Sequence, residues 1–88
     1  MAVYVDRSVH RLGRMKTCHM IADTLDELHA MAEAIGCDPS WFQVSRSGVP
    51  HYDIPLFRKE RAIARGAVVS GTRDFAAVMR KIKIRVTA

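Results

Sequence analysis

The chain has 88 residues, 49% of them hydrophobic and 26% charged, with five Gly and three Pro. That balance excludes a disordered, collagen-like or linker-like polypeptide, and the length leaves room for a single small domain over residues 1–88. Fourteen Lys and Arg against nine Asp and Glu give a net charge of +5, yet the charge is unevenly placed. Residues 1–22 hold four basic and one acidic side chain, residues 23–40 five acidic and none basic, and residues 41–88 ten basic and three acidic. An acidic block of that kind argues against a uniformly basic nucleic-acid binder.

In chain order, residues 2–5 (Ala2, Val3, Tyr4, Val5) are β-branched and aromatic and predict a strand that ends at Asp6. Residues 7–16 carry four basic side chains and no clean period, which predicts a loop. A second strand is expected over residues 17–22. Thr24 and Glu27 then have the spacing of a capping box, and Leu28, Met31, Ala32 and Ile35 follow at helical period. Gly36 is placed to end that helix in the left-handed conformation. After a turn at Asp38, Pro39 and Ser40, residues 41–44 predict a third strand, and residues 45–50 a polar loop.

A second helix is expected after Asp53, with Asp53 as its N-cap and Pro55 in its first turn. Leu56, Phe57, Ile63 and Ala64 would form its core side, Arg58, Arg61 and Arg65 an exposed stripe, and Gly66 its stop. Residues 67–70 predict a fourth strand, and Gly71 and Thr72 the next turn and cap. Phe75, Val78, Met79 and Ile82 repeat the helical stripe, whereas residues 81–86 alternate strictly and predict an edge strand. The pattern defines an α/β fold, a small sandwich of about four to five short strands with two to three helices.

No apolar run approaches the roughly 18 residues that span a bilayer, and the start lacks a secretory pattern, so a cytoplasmic location and no membrane contact are expected. Cys18 and Cys37 have neither a CxxC nor a zinc-finger spacing and read as core thiols. The most suggestive polar cluster is His51, Tyr52 and Asp53, set just before the expected helix, where backbone donors would suit an anion. His19, Asp23 and His29 flank a strand–helix junction, and Asp6 ends the first strand. Trp41 and Gln43 offer a stacking ring and an amide, while Arg11 and Arg14 form a basic arm. Capping, core packing and solvation account for each of these residues taken singly. No Walker, Rossmann or GxSxG motif occurs, so no cofactor and no catalytic residue is assigned. Nothing in the His spacing requires a metal.

Taken together, these residues resemble a small bacterial and phage family, domain of unknown function four-zero-three-one. The resemblance rests on Val3, Tyr4, Val5 and Asp6, on residues 18–24 and 27–32, on Ile35 and Gly36, on Trp41, Phe42 and Gln43, on residues 51–54 and on residues 62–68. It covers residues 2–70 and leaves 71–88 as a basic C-terminal extension. The family brings no reaction, cofactor or partner. It implies a recurring polar set of Asp6, His19, Asp23, His29, Gln43, His51, Tyr52 and Asp53.

Three functions are therefore expected, in this order. The first is an accessory domain that binds, and in a phage setting sequesters, a phosphorylated or nucleotide-like anion. The second is a nucleic-acid-binding or protein-inhibiting module using Arg58, Arg61, Arg65, Arg73, Arg80, Lys81, Lys83 and Arg85, whose edge strand would also allow self-association into an oligomer. The third is a metal-dependent hydrolase using His19, Asp23, His29 and His51. Whether the chain is an enzyme stays open at this point.

Overall fold

The computed structural model describes residues 2–7, 10–12 and 15–82. The chain order is β1 (Val3–Asp6), β2 (His10–Leu12), β3 (Met15–Ala22), α1 (Leu25–Ala34), a 3-10 turn (Pro39–Trp41), β4 (Phe42–Val44), β5 (Pro50–Pro55), α2 (Leu56–Ala64), β6 (Val68–Ser70) and α3 (Thr72–Ile82). All six strands join one sheet in the order β4-β5-β3-β1-β6, with β2 also paired to β3. Every pairing is antiparallel except β1 with β6, which gives a mixed sheet and an α/β fold.

Alternation along the strands divides this sheet into two unlike faces. One face carries Val3, Val5, Cys18, Met20, Tyr52 and Ile54, packed with Leu28, Ala32 and Ile35 of the α1 region and Ala62 of α2. The opposite face carries Tyr4 and Ile21, packed against Phe75, Val78, Met79 and Ile82 of α3. The stripes expected for α1 and α3 are thus the ones buried. Thr24 caps α1: its hydroxyl accepts from the Glu27 N–H at 3.2 Å and donates to the Glu27 carboxylate at 2.9 Å.

Gly36, at φ +80°, follows that helix. A Cβ there would lie 2.7 Å from the Arg58 guanidinium, which donates to the Ile35 carbonyl at 2.8 Å. Glycine at this point therefore serves both the turn and the close approach of Arg58.

Several expectations are corrected. The loop expected over residues 7–16 contains β2 and the start of β3, because Arg11 pairs with Lys16 in a hairpin whose hydrogen bonds need no apolar alternation. Asp53 is no helix cap. It lies inside β5, and α2 starts three residues later from Pro55, without a side-chain cap. The core side of α2 is Ala62; Phe57 and Ile63 stay 59% and 41% exposed, and Phe57 lies against the Arg58 guanidinium instead. Arg58 is drawn inward to cap α1 rather than standing on an exposed stripe. Lys81 and Ile82 belong to α3, not to a strand; the rest of the expected edge strand, 83–86, lies outside the described residues.

Candidate metal centre

The expected polar cluster is real in part, but sheet alternation splits it. In β5, His51 and Asp53 project from the α3 face and Tyr52 from the other. Register then brings in a residue from the neighbouring strand: His19 of β3 pairs directly with Asp53. The His19 Nε2 and Asp53 Oδ1 atoms lie 3.0 Å apart, and the His51 Nε2 stands 3.8 Å from the same oxygen. One ligand atom from each of the three side chains fits within 4.8 Å of the other two.

Two details give this triangle a chemical direction. The Val49 carbonyl lies 3.0 Å from His51 Nδ1 and also accepts the Ser45 N–H at 3.0 Å. With Nδ1–H donating to that carbonyl, the lone pair of His51 is left on Nε2, which faces Asp53. A backbone carbonyl behind a ligating imidazole is the usual way to fix its tautomer and ring orientation. The second detail is Asp53 Oδ1, which is buried and accepts no hydrogen bond among the described residues. His19 is near enough to be an ion-pair partner, but the contact lacks hydrogen-bond geometry. Atoms bound about 2.1 Å from a shared ion stand roughly 3.0–3.5 Å from one another. The His19–Asp53 spacing of 3.0 Å already lies in that range, and the His51–Asp53 spacing of 3.8 Å lies just outside it.

Other polar groups continue the row. One residue beyond Val5, which pairs with Met20, Asp6 falls beside His19, and it pairs onward with Ser70 of β6. Among the described residues, Asp6, Thr17 and Ser70 are buried polar residues of the sheet. Gln43 pairs with His51 across β4 and is exposed at the rim. A cavity of about 180 Å³ opens beside the triangle, lined by His19, His51, Ser45, Ser47 and the apolar side chains Ile21, Val49, Phe75 and Met79.

The remaining candidates lie elsewhere. His29 meets the Tyr52 hydroxyl at 2.7 Å on the helix-covered face, beside Phe42. Trp41 ends the 3-10 turn and packs on that same core. Neither aromatic ring can stack over a ligand held by His51 and Asp53. Asp23 ties down the chain start, accepting from the Ala2 N–H at 2.8 Å and the Tyr4 hydroxyl at 3.1 Å. Arg11 is placed in β2, with nothing described of its side chain, and Arg14 lies outside the described residues.

Both cysteines are free and buried. Burial pushes the Cys18 thiol up to about 11, and it raises that of Cys37 against the opposing pull of Arg58. At neutral pH both are therefore protonated, which makes them poor nucleophiles. Burial likewise raises the Tyr52 phenol. Sequence reasoning missed Ser45, Ser47 and Val49. Their contribution is a turn that places a carbonyl behind His51, a geometry for which sequence carries no motif.

A family model described as "Protein of unknown function (DUF4031)" matches residues 3–82, and the chain belongs to that family. The match continues through α3, so this helix is part of the family's fold and not an added extension. No curated protein and no solved structure matches the chain. Among the described residues, no helix is long and apolar enough to cross a membrane.

Proposed function

We propose that this domain holds one divalent transition-metal ion through His19 Nε2, His51 Nε2 and Asp53 Oδ1, and works as a metal-dependent hydrolase of a small anionic molecule. The observation that carries the reading is Asp53 Oδ1, a buried carboxylate oxygen without a hydrogen bond, faced by two imidazole nitrogens. Burying a carboxylate oxygen that accepts no hydrogen bond carries a desolvation cost that the His19 contact at 3.0 Å offsets only in part, and a cation held there would offset it further. Two imidazoles and one carboxylate form a donor set used by catalytic zinc, with a further position left for water or substrate. An ion bound there would polarise a substrate oxygen and ease deprotonation of a coordinated water.

Among the functions expected from sequence, this raises the hydrolase and changes its residues. His29 and Asp23 are replaced by Asp53. A nucleotide-like ligand at the imidazoles would lack the rings of Trp41 and Tyr52, which face the other side of the sheet. Sequestration of a signalling nucleotide is therefore the less supported reading.

Elemental analysis of tag-free protein prepared without chelator is the test. It should give about one ion per chain, and His19→Ala, His51→Ala and Asp53→Asn should each reduce that at least tenfold. No metal after purification, together with no saturable uptake of zinc, cobalt, manganese or ferrous ion below millimolar concentration, would sink the proposal.

A further inference from the structure

Ser45 bridges the connection between β4 and β5 with three of its groups. Its N–H donates to the Val49 carbonyl at 3.0 Å, its carbonyl accepts the Gly48 N–H at 2.9 Å, and its hydroxyl accepts the Val49 N–H at 3.0 Å. The Ser47 hydroxyl pairs with that of Ser45, also at 3.0 Å. Ser45 thus grips the peptide groups on both sides of the Val49 Cα. Pro50 follows directly, and a residue before proline is held to extended backbone. Gly48, at φ +91°, supplies the left-handed step of the turn. Gly48 and Val49 are both buried, so little water reaches this end of the turn.

The direction of the Val49 carbonyl decides where the His51 proton sits. A carbonyl only accepts, so its 3.0 Å contact with His51 Nδ1 is a hydrogen bond only when Nδ1 carries the proton. On the other side of the ring Asp53 competes, because its carboxylate would accept a proton carried by Nε2. In a neutral imidazole one nitrogen alone is protonated, and the bond it makes sets which. Distance settles this competition: 3.0 Å is within hydrogen-bond reach and 3.8 Å is not. Were the Val49 carbonyl to turn away, the charged carboxylate would be the stronger acceptor and would draw the proton to Nε2. A protonated Nε2 has no lone pair to offer a cation.

We infer that Ser45 is a positioning residue of the site: by holding the Val49 carbonyl against His51 Nδ1, it keeps the Nε2 lone pair free and aimed at Asp53. This deepens the metal reading above, yet the placement of the His51 proton belongs to the metal-free chain and is tested there.

Long-range proton–nitrogen NMR of the metal-free chain at about pH 8, where an ordinary imidazole is neutral, reads that placement. With the His51 ring assigned by comparison with His51→Gln, the native chain should show Nδ1 protonated and Nε2 bare. Ser45→Ala should move the proton toward Nε2, and Ser45→Thr, which keeps the hydroxyl, should restore the native pattern. If Ser45→Ala does not fold, Ser45→Cys takes its place, since a thiol is a poor acceptor. Zinc affinity, measured by competition with a chelator, should fall about tenfold in Ser45→Ala and recover in Ser45→Thr. Made in a His51→Ala background, Ser45→Ala should lower zinc affinity less than about twofold further, because the ring it positions is gone. A merely structural Ser45 would lower it again by the full factor, and that result overturns the inference. So does a native His51 protonated on Nε2, or a ring unmoved by Ser45→Ala. If the native chain takes up no zinc, the hydrolase reading fails separately, and the NMR comparison decides Ser45: a proton that moves with the hydroxyl keeps the inference, and one indifferent to it removes it.

Discussion

The two faces of the sheet are made from alternate residues of the same strands, yet they do different work. Toward α1 and α2, Cys18, Met20, Tyr52 and Ile54 join a continuous core in which the one side-chain hydroxyl, that of Tyr52, has a partner in His29. Toward α3, apolar packing stops at Ile21 and Phe75, and the adjoining positions are His19, His51 and Asp53, with Asp6, Thr17 and Ser70 buried beside them. A domain of this length has little core to spare. A half-buried carboxylate and two imidazoles on a central part of the sheet are stability forgone, which is the common mark of a functional position. The first face fixes the fold, and the second carries the proposed metal site.

The largest expected effect tests that division directly. Ile54 is fully buried, and Ile54→Ala should cost about 2–5 kcal/mol by urea unfolding through the cavity it leaves. Asp53→Asn, one residue away on the other face, should leave the stability of metal-free protein within about 1 kcal/mol, because the His19 charge contact it loses is offset by removing a buried carboxylate oxygen that accepts no hydrogen bond. Should Asp53→Asn unfold the chain as readily as Ile54→Ala, Asp53 is a structural residue and the two faces are equivalent.

A smaller, pH-dependent effect belongs to the core face alone. The Cys18 thiol has an ordinary pKa near 9.0 and is pushed up to about 11 by burial. Its folded-state pKa is raised, and the neutral form is the one burial favours. The folded state therefore keeps this stabilisation fully below about pH 9 and loses it as pH climbs toward about pH 11, where the unfolded chain ionises more readily. Urea midpoints measured across that window should fall with pH, and Cys18→Ala should flatten the decline. An unchanged slope in Cys18→Ala would assign the alkaline loss to other groups, such as the buried Tyr52 phenol.

How far these faces could be read from sequence depends on the range of the interactions. Helices α1 and α3 announce themselves through local period, and the Thr24–Glu27 cap through spacing. The β2–β3 hairpin does not, since its residues have no apolar alternation and its order comes from backbone pairing. The cluster at His51 and Asp53 was visible as composition. Reading it as a helix start, however, grouped Tyr52 with its neighbours, whereas a strand sends Tyr52 to the opposite side. His19 stands 34 residues before Asp53 in the chain, and only the β3–β5 register makes them neighbours. Candidate ligands gathered by strand register leave no short motif.

Tyr52 and Asp53 offer the finest test of the division, because they are consecutive in β5 and differ only in the face they serve. Tyr52→Phe removes the hydroxyl that meets His29 at 2.7 Å but keeps the ring packed against Phe42, whose centroid is 5.5 Å away. His29 is exposed, so water can replace the lost partner, and the expected cost is about 0.5–1.5 kcal/mol. Metal uptake should be unchanged, since neither Tyr52 nor His29 faces the triangle. Asp53→Asn should give the reverse pattern, with zinc affinity falling at least tenfold and little change in metal-free stability. Measuring both quantities for both variants yields a crossed result if the faces are independent. Loss of zinc binding in Tyr52→Phe would show instead that β5 transmits strain from one face to the other, and that the helix-covered core positions the metal ligands as well as stabilising the fold.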